Sequence, residues 1–112
     1  MNKKYIIRKN EEISNIVKTG KKIVNKYYVI YYKDNEYKHN RYCVSVSKKI
    51  GKANVRNLFK RRIKDILMKN NINYSYDYVI ILKQAILDIN YEKMKNELIG
   101  LMKGEQKWRK SY

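Results

Sequence analysis

The chain is poor in several residue types, and each shortage narrows what the protein can be. Its 112 residues include no proline, one cysteine and one histidine. A lone cysteine cannot form an internal disulfide, which fits a reducing cytoplasm. His39 and Cys43 are also too few for a structural zinc site, which needs about four ligands. No apolar run reaches the roughly 18 residues of a membrane-spanning helix, and the N-terminus is interrupted by charge too early for a signal peptide.

Acidic residues are scarce as well, because only 10 of them balance 27 lysines and arginines, leaving a net charge of +17. Self-repulsion at such a charge destabilises a compact chain, so a polyanionic partner is expected. Nucleic acid is the first candidate, since neutralising phosphates releases counterions. A membrane surface is the alternative, but it requires an amphipathic helix or a lipid anchor, and the chain offers no strong candidate for either. No protein partner is evident.

The length suits a single domain over residues 1–112, with one hydrophobic core. Apolar spacing predicts a helix with Asn10 as its N-cap and Gly20 at its end, then a strand over residues 23–33. Further on it predicts a strand over 41–47, a helix over 53–69, a buried strand over 78–82 and a helix over 91–103. Residues 104–112, which include Trp108, are expected to form a basic tail. This order indicates an α+β fold with one small sheet.

The predicted helix over residues 53–69 carries the strongest functional signal. Its apolar arc on a helical wheel comprises Val55, Phe59, Ile63, Ile66 and Leu67. Its outer face comprises Arg56, Asn57, Lys60, Arg61 and Lys64. Like charges at i,i+4 spacing destabilise an isolated helix by roughly 0.2–0.5 kcal/mol per pair, so this face needs negative charge from another molecule. Arg62 falls within the apolar arc, and we expect its stem to pack there.

The turn before this helix strengthens the signal. It adds Lys48, Lys49 and Lys52 and leads into the free N–H groups of the helix N-terminus, which bind anions. Catalysis by the protein itself is not supported, because acid–base or metal-assisted hydrolysis needs a matched pair of groups or a carboxylate cage. His39 is the only histidine, and the carboxylates show no metal-ligand spacing: Asp34, Glu36, Asp65 and Asp77.

One segment is more specific than charge and periodicity. Residues 45–61 read S-V-S-K-K-I-G-K-A-N-V-R-N-L-F-K-R. This closely resembles the signature of the bacterial ribonuclease P protein component, S-V-S-K-K-x-G-x-A-V-x-R-N-R-x-K-R, and weaker similarity extends over nearly the whole chain. Leu58 replaces the second arginine of R-N-R, and because it borders the apolar arc it is expected to pack. Ile13 and Val17 stand where the family tends to have aromatic residues.

The resemblance implies a function. The protein would be one subunit of a ribonucleoprotein that removes the 5′ leader from precursor tRNA, while the RNA subunit performs the hydrolysis with Mg²⁺ held by RNA. The residues implied for binding the catalytic RNA are Lys48, Lys49, Lys52, Arg56, Asn57, Lys60, Arg61 and Lys64. The cleft implied for the single-stranded leader is formed by Ile13, Val17 and Tyr31.

The resemblance also implies a fold: three helices around a four-stranded sheet, with a left-handed βαβ crossover through the basic helix, an exception to the right-handed rule. Two alternatives remain. A ribosomal or other structural RNA-binding protein would share the charge and the helical wheel, but has no reason to share residues 45–61. A protein-only nuclease would cleave precursor tRNA without an RNA subunit.

Overall fold

Three helices and four strands form the part of the chain that the structure covers. This computed structural model describes the backbone of residues 1–70 and 74–110, and the side chains of residues 1–70 and 74–104. The helices are α1 (Asn10–Thr19), α2 (Ala53–Lys69) and α3 (Tyr91–Lys110). The strands are β1 (Lys21–Val24), β2 (Tyr28–Asp34), β3 (Arg41–Ser45) and β4 (Tyr76–Leu82). Short 3₁₀ helices span Lys3–Tyr5 and Gln84–Asp88.

The strands form one mixed sheet in the order β1-β2-β4-β3. The β1/β2 and β2/β4 pairs are antiparallel, whereas β3 and β4 are parallel and joined through α2. The apolar run at the end of β4 therefore lies in a central strand, as continuous hydrophobicity predicts. The expected α+β fold of three helices and a four-stranded sheet is confirmed. The left-handed sense of the crossover stays a prediction of the resemblance.

The single strand expected over residues 23–33 is wrong, because the chain turns at Asn25. The Asn25 side-chain oxygen accepts hydrogen bonds from the backbone N–H groups of Tyr27 and Tyr28, at 2.9 and 2.8 Å. The Asn25 N–H donates to the Tyr28 carbonyl oxygen at 3.0 Å. An asparagine side chain that bonds to the backbone in this way substitutes for the usual turn residues. It divides the segment into the β1/β2 hairpin.

Two predictions about α1 are also corrected. Asn10 is the first helical residue, and the capping position is Lys9, whose side chain makes no capping hydrogen bond. Gly20 follows the helix with φ −78°, outside the left-handed region expected of a terminating glycine. Glycine is needed there for another reason. A Cβ atom would lie 2.5 Å from the Ile16 carbonyl oxygen and 2.7 Å from that of Tyr32, so only glycine permits this close approach of the helix end to β2.

The C-terminal helix is longer than expected. Instead of ending near Lys103, α3 continues to Lys110, so most of the predicted tail is helical. The side chain of Trp108 and residues 111–112 lie outside the described residues, as do residues 71–73 before β4.

The main core lies between the sheet and helices α2 and α3. Alternate residues of β2, namely Tyr28, Ile30 and Tyr32, are buried on this side, as the alternation predicts. The helices contribute Phe59, Ile63, Ile66, Leu67, Met94, Leu98 and Met102. Tyrosine hydroxyls inside this core find partners, as buried tyrosines require. The Tyr28 hydroxyl donates to the Met94 carbonyl oxygen at 3.0 Å, and burial raises the pKa of Tyr28 well above its ordinary value.

Candidate nucleic-acid interface

The opposite face of the sheet is organised in three rows of side chains. Residues paired across neighbouring strands point to the same side, so the register defines each row. The first row is Lys33, Asp77 and Arg41; the second is Lys22, Tyr31, Val79 and Cys43; the third is Val24, Val29, Ile81 and Ser45. Helix α1 packs over the second row, where Ile7 and Ile16 bury Val79.

The third row is left open beside α1. Val24 is 47% exposed, Ser45 is exposed, and Val29 and Ile81 are only half-buried. Together with Tyr31, these residues form a largely apolar surface, with Ser45 at its β3 end, that we call the open groove. An apolar strip of this kind next to a helix is suited to an extended, flexible ligand rather than to a compact one.

The three residues predicted for the leader cleft are arranged around this groove. Ile13 and Tyr31 are half-buried and pack against the same small cluster of Ile16 and Val79, so the structure brings them together. Val17 lies one turn further along α1 and is 38% exposed, outside that cluster. It therefore presents free apolar surface to solvent.

Lysines border the open groove on two sides. On the β1 side the Lys22 ammonium lies 5.7 Å from the centre of the Tyr31 ring, a cation–π distance. On the β3 side Lys60 and Lys64 of α2 act on Cys43. Burial raises the pKa of the Cys43 thiol, and the charges of these two lysines lower it in opposition. Lys60 and Lys64 thus act electrostatically on the β3 end of the second row, and Lys22, which sequence reasoning missed, adds a cation on the β1 side.

The cations predicted on α2 and in the preceding turn are accessible. Lys48, Lys49, Lys52, Asn57 and Arg61 are exposed, and Arg56, Lys60 and Lys64 are half-buried. Within residues 1–70 and 74–104, no carboxylate forms an ion pair with any of them. The only acid of α2 is held elsewhere: the Tyr91 hydroxyl donates to Asp65, and Lys69 lies 3.2 Å from it. These hydrogen bonds lower the pKa of Asp65.

The start of α2 leaves donors unsatisfied. Lys52 occupies the capping position without a side-chain hydrogen bond, so the first N–H groups of the helix remain available to an anion. The buried Nε of Arg56 has no hydrogen-bond partner among the described residues.

Leu58 and Arg62, one turn apart on α2, differ in how they pack. Leu58 was expected to pack and does not: it is 37% exposed, because its direction on the helix lies outside the buried arc. Arg62 is half-buried with its guanidinium carbon 5.6 Å from the Phe59 ring centre, so this side chain lies against the apolar part of the helix.

The described residues offer no evident hydrolytic centre. Among them no group of three or more histidine, cysteine, aspartate or glutamate side chains is arranged to hold a metal ion. The ring of His39 lies in a loop against Tyr5 and Tyr37 rather than beside a nucleophile. None of the described helices has the length and apolarity needed to cross a bilayer.

Comparison with known proteins agrees with the sequence signature. A profile of the family described as Ribonuclease P matches residues 1–105. The ribonuclease P protein component of Streptococcus agalactiae is 36% identical over 104 residues, covering 92% of this chain and 95% of the relative. That of Mycoplasma capricolum is 42% identical over 107 residues, covering 92% of this chain and 97% of the relative.

Solved structures share the fold. The RNase P protein of Staphylococcus aureus superposes with a TM-score of 0.80 at 34% identity, covering 88% of this chain and 93% of that one. The RNase P protein of Thermotoga maritima superposes with a TM-score of 0.79 at 27% identity, covering 85% of this chain and 92% of that one. The arrangement of three helices and a four-stranded sheet is therefore common to these proteins and to this chain.

Proposed function

The chain belongs to the ribonuclease P protein family, and we propose that it binds both the catalytic RNA and the 5′ leader of precursor tRNA within the holoenzyme. As a ribonuclease P protein component, it is a subunit of an endoribonuclease that matures tRNA. In the proposal the basic face of α2 and the turn before it seat the protein on the catalytic RNA. The open groove, with Ile13, Val17 and Tyr31, takes the leader. The reaction takes place in the cytoplasm.

The observation that carries this proposal is the composition of the open groove. Its apolar floor around Tyr31 has Lys22 on the β1 side, and Lys60 and Lys64 of α2 act electrostatically on Cys43 at the β3 side. Single-stranded nucleic acid binds to such grooves, because unstacked bases contact the apolar floor while the backbone phosphates contact the cations. With Ile13 and Val17 aliphatic, Tyr31 is the ring on which a leader base stacks.

A division of labour between protein and RNA follows from the donor set. The described carboxylates do not form a group that could hold Mg²⁺, and Mg²⁺ prefers oxygen ligands that include phosphates. We therefore assign Mg²⁺ to the RNA and the substrate phosphates. The protein's part is to hold the leader and to neutralise phosphate charge where the two RNAs meet.

The test is cleavage of precursor tRNA by the catalytic RNA at low Mg²⁺, with and without the protein. We expect the protein to stimulate cleavage several-fold, because its cations replace the charge screening that high Mg²⁺ provides. Absence of stimulation would refute the proposed function. Protein without catalytic RNA should leave the substrate intact, and site-specific cleavage by protein alone would identify a protein-only nuclease instead.

Leader binding is tested separately with Tyr31→Ala. Loss of one base stack is worth about 1–3 kcal/mol, so the holoenzyme should bind a leader-bearing substrate about tenfold less tightly. Binding of tRNA without a leader should not change. Tyr31→Phe keeps the ring and should behave like the unmodified protein. Equal loss for substrates with and without a leader would show that Tyr31 does not contact the leader.

A further inference from the structure

A buried ion cluster lies in the first row of this sheet face, beneath α1. Arg41, only 9% exposed, donates to both carboxylate oxygens of Asp77, from Nε at 2.9 Å and from Nη2 at 2.7 Å. Asp77 also accepts a hydrogen bond from the Asn35 side chain at 2.9 Å. The Tyr37 ring lies 4.4 Å from the guanidinium carbon of Arg41. These contacts fix the direction of the guanidinium group.

One further contact extends this cluster to α1. The same Nη2 of Arg41 donates to the Glu12 carboxylate at 2.7 Å. Arg41 and Asp77 are paired on β3 and β4, inside the sheet, whereas Glu12 lies in the first turn of α1. The contact therefore joins the helix to the sheet. Glu12 directly precedes Ile13, and one turn later Ile16 packs on Val79 in the second row.

Helix α1 is otherwise attached mainly at its flanks, where the Ile7 N–H donates to the Tyr42 carbonyl oxygen at 2.9 Å and the Lys33 ammonium donates to the Thr19 hydroxyl at 2.9 Å. It has 10 residues, and helices shorter than about 12–15 residues are marginal on their own. In the described part of the chain its apolar attachment is a cluster in which only Ile7, Ile16 and Val79 are fully buried. Apolar contacts are non-directional, so a small cluster permits sliding. A charge-assisted hydrogen bond to a fixed guanidinium is directional and sets a position.

We propose that the cluster of Glu12, Arg41 and Asp77 positions α1 across the sheet and thereby sets the width of the open groove. Glu12 is then a positioning residue for leader binding that does not itself contact the leader. This inference rests on the proposed function of the groove, because the position of α1 affects leader binding only if the leader lies in that groove.

The sign of the expected effect separates this role from simple electrostatics. Glu12 is a negative charge beside a groove for a polyanion, and its side chain is 36% exposed. If the carboxylate acted only through its charge, its removal would strengthen RNA binding by reducing repulsion. If it positions α1, its removal must weaken leader binding despite the gain in positive charge.

Glu11 provides the matched control. It is the adjacent residue, it carries the same charge, it is exposed, and it has no ion-pair partner among the described residues. The measured quantity is the ratio of holoenzyme dissociation constants for tRNA without a leader and for the same tRNA with a leader of about ten nucleotides, a length that exceeds the smaller sites of single-strand binders. We expect Glu12→Ala to lower this ratio three- to tenfold. Glu12→Gln, which keeps an acceptor oxygen, should lower it less, and Glu11→Ala should leave it unchanged or raise it.

Other outcomes separate this inference from the function on which it rests. If Glu12→Ala behaves like Glu11→Ala while Tyr31→Ala still lowers the ratio, the positioning role is refuted and the groove assignment stands. If Tyr31→Ala has no effect, the groove is not the leader site and both proposals fail. If Glu12→Ala instead weakens leader-bearing and leaderless tRNA equally, the positioning role is refuted, because the change has then not acted through the groove.

A measurement without RNA tests the positioning directly. Spin labels would be placed at Lys18→Cys on α1 and Gln84→Cys beyond β4, both exposed positions, in a Cys43→Ser background. Glu12→Ala should broaden or shift the distance distribution between the labels, whereas Glu11→Ala should not. An unchanged distribution in the Glu12→Ala protein would overturn the proposal.

Discussion

The two faces of the sheet are covered very differently. Helices α2 and α3 seal one face with a core that runs from Tyr28 to Met102. On the other face α1 buries one row, and in the described residues the fully buried apolar side chains there are those of Ile7, Ile16 and Val79. The sealed face therefore supplies most of the folding stability, which follows buried apolar area. The thinly covered face has apolar surface to spare for a ligand.

Substitution of two neighbouring isoleucines of β4 is the strongest test of this difference between the two faces. Ile80 is fully buried on the sealed face, and Ile81 is half-buried on the open groove. Ile80→Ala should lower the free energy of unfolding by about 2–5 kcal/mol, because it leaves a cavity in a packed core. Ile81→Ala should cost less than half as much. Urea denaturation of both variants measures the difference.

The same two substitutions should have the opposite order of effect on RNA binding. Ile81→Ala should weaken the leader-dependent part of substrate binding, whereas Ile80→Ala should leave it intact at temperatures where the variant stays folded. Equal unfolding costs for the two variants would show that the two faces contribute alike to stability, and the comparison would fail.

Helix α2 packs on the sealed face with its apolar side and carries cations on its outer side. Substitutions can separate these two roles. Arg56 and Lys60 are half-buried at the border of the buried arc of the helix and have no ion-pair partner in the described residues. Changing either one to alanine should reduce the salt dependence of binding to the catalytic RNA by about one unit of slope for each lost phosphate contact. The free energy of unfolding should change by less than about 1 kcal/mol.

Lys26→Ala is the control for this experiment. Lys26 is equally cationic and exposed, but it lies in the β1/β2 turn, at the sheet edge remote from β3 and α2. It should leave the salt slope unchanged. A slope that is the same for Arg56→Ala and for the unmodified protein would mean that α2 is not the interface with the catalytic RNA.

Sequence reasoning succeeded where one element's own periodicity decides the outcome. The bounds of α2 at Ala53 and Lys69 were predicted as observed, because 17 residues of helical spacing override local ambiguity. Strand alternation also groups Tyr28, Ile30 and Tyr32 on one side of β2, as observed, although alternation alone does not say which side is buried. In both cases the apolar residues of a single segment contain the whole signal.

It failed where a contact depends on partners far apart in the chain. The turn at Asn25 is made by a side-chain hydrogen bond, without the glycine or proline that marks most turns. The place of Lys22 over Tyr31 requires the β1/β2 register, which follows from that turn. The contact of Glu12 with Arg41 joins two elements 29 residues apart. No periodicity within a segment reports any of these, so the groove border and its anchoring cluster appear only in three dimensions.

The smallest expected effect probes the junction of the two RNA-binding surfaces through Cys43. Burial raises the pKa of its thiol, so less of the reactive thiolate is present near neutral pH than for an exposed cysteine. Alkylation by iodoacetamide should therefore be several-fold slower than that of a Cys43→Ser, Ser47→Cys reference, in which the single thiol is placed at an exposed position. The rate should rise with pH toward the raised pKa.

The charges of Lys60 and Lys64 predict in which direction the alkylation rate of Cys43 should change. Their charges lower the pKa of Cys43 against the effect of burial, so changing both to alanine should slow alkylation further. A leader bound in the open groove covers the sheet surface beside Cys43, so it should slow the reaction too, whereas tRNA without a leader should not. An alkylation rate unaffected by the leader would separate Cys43 from the leader's path. It would then place the leader further from β3, toward Lys22 and the β1 side of the open groove.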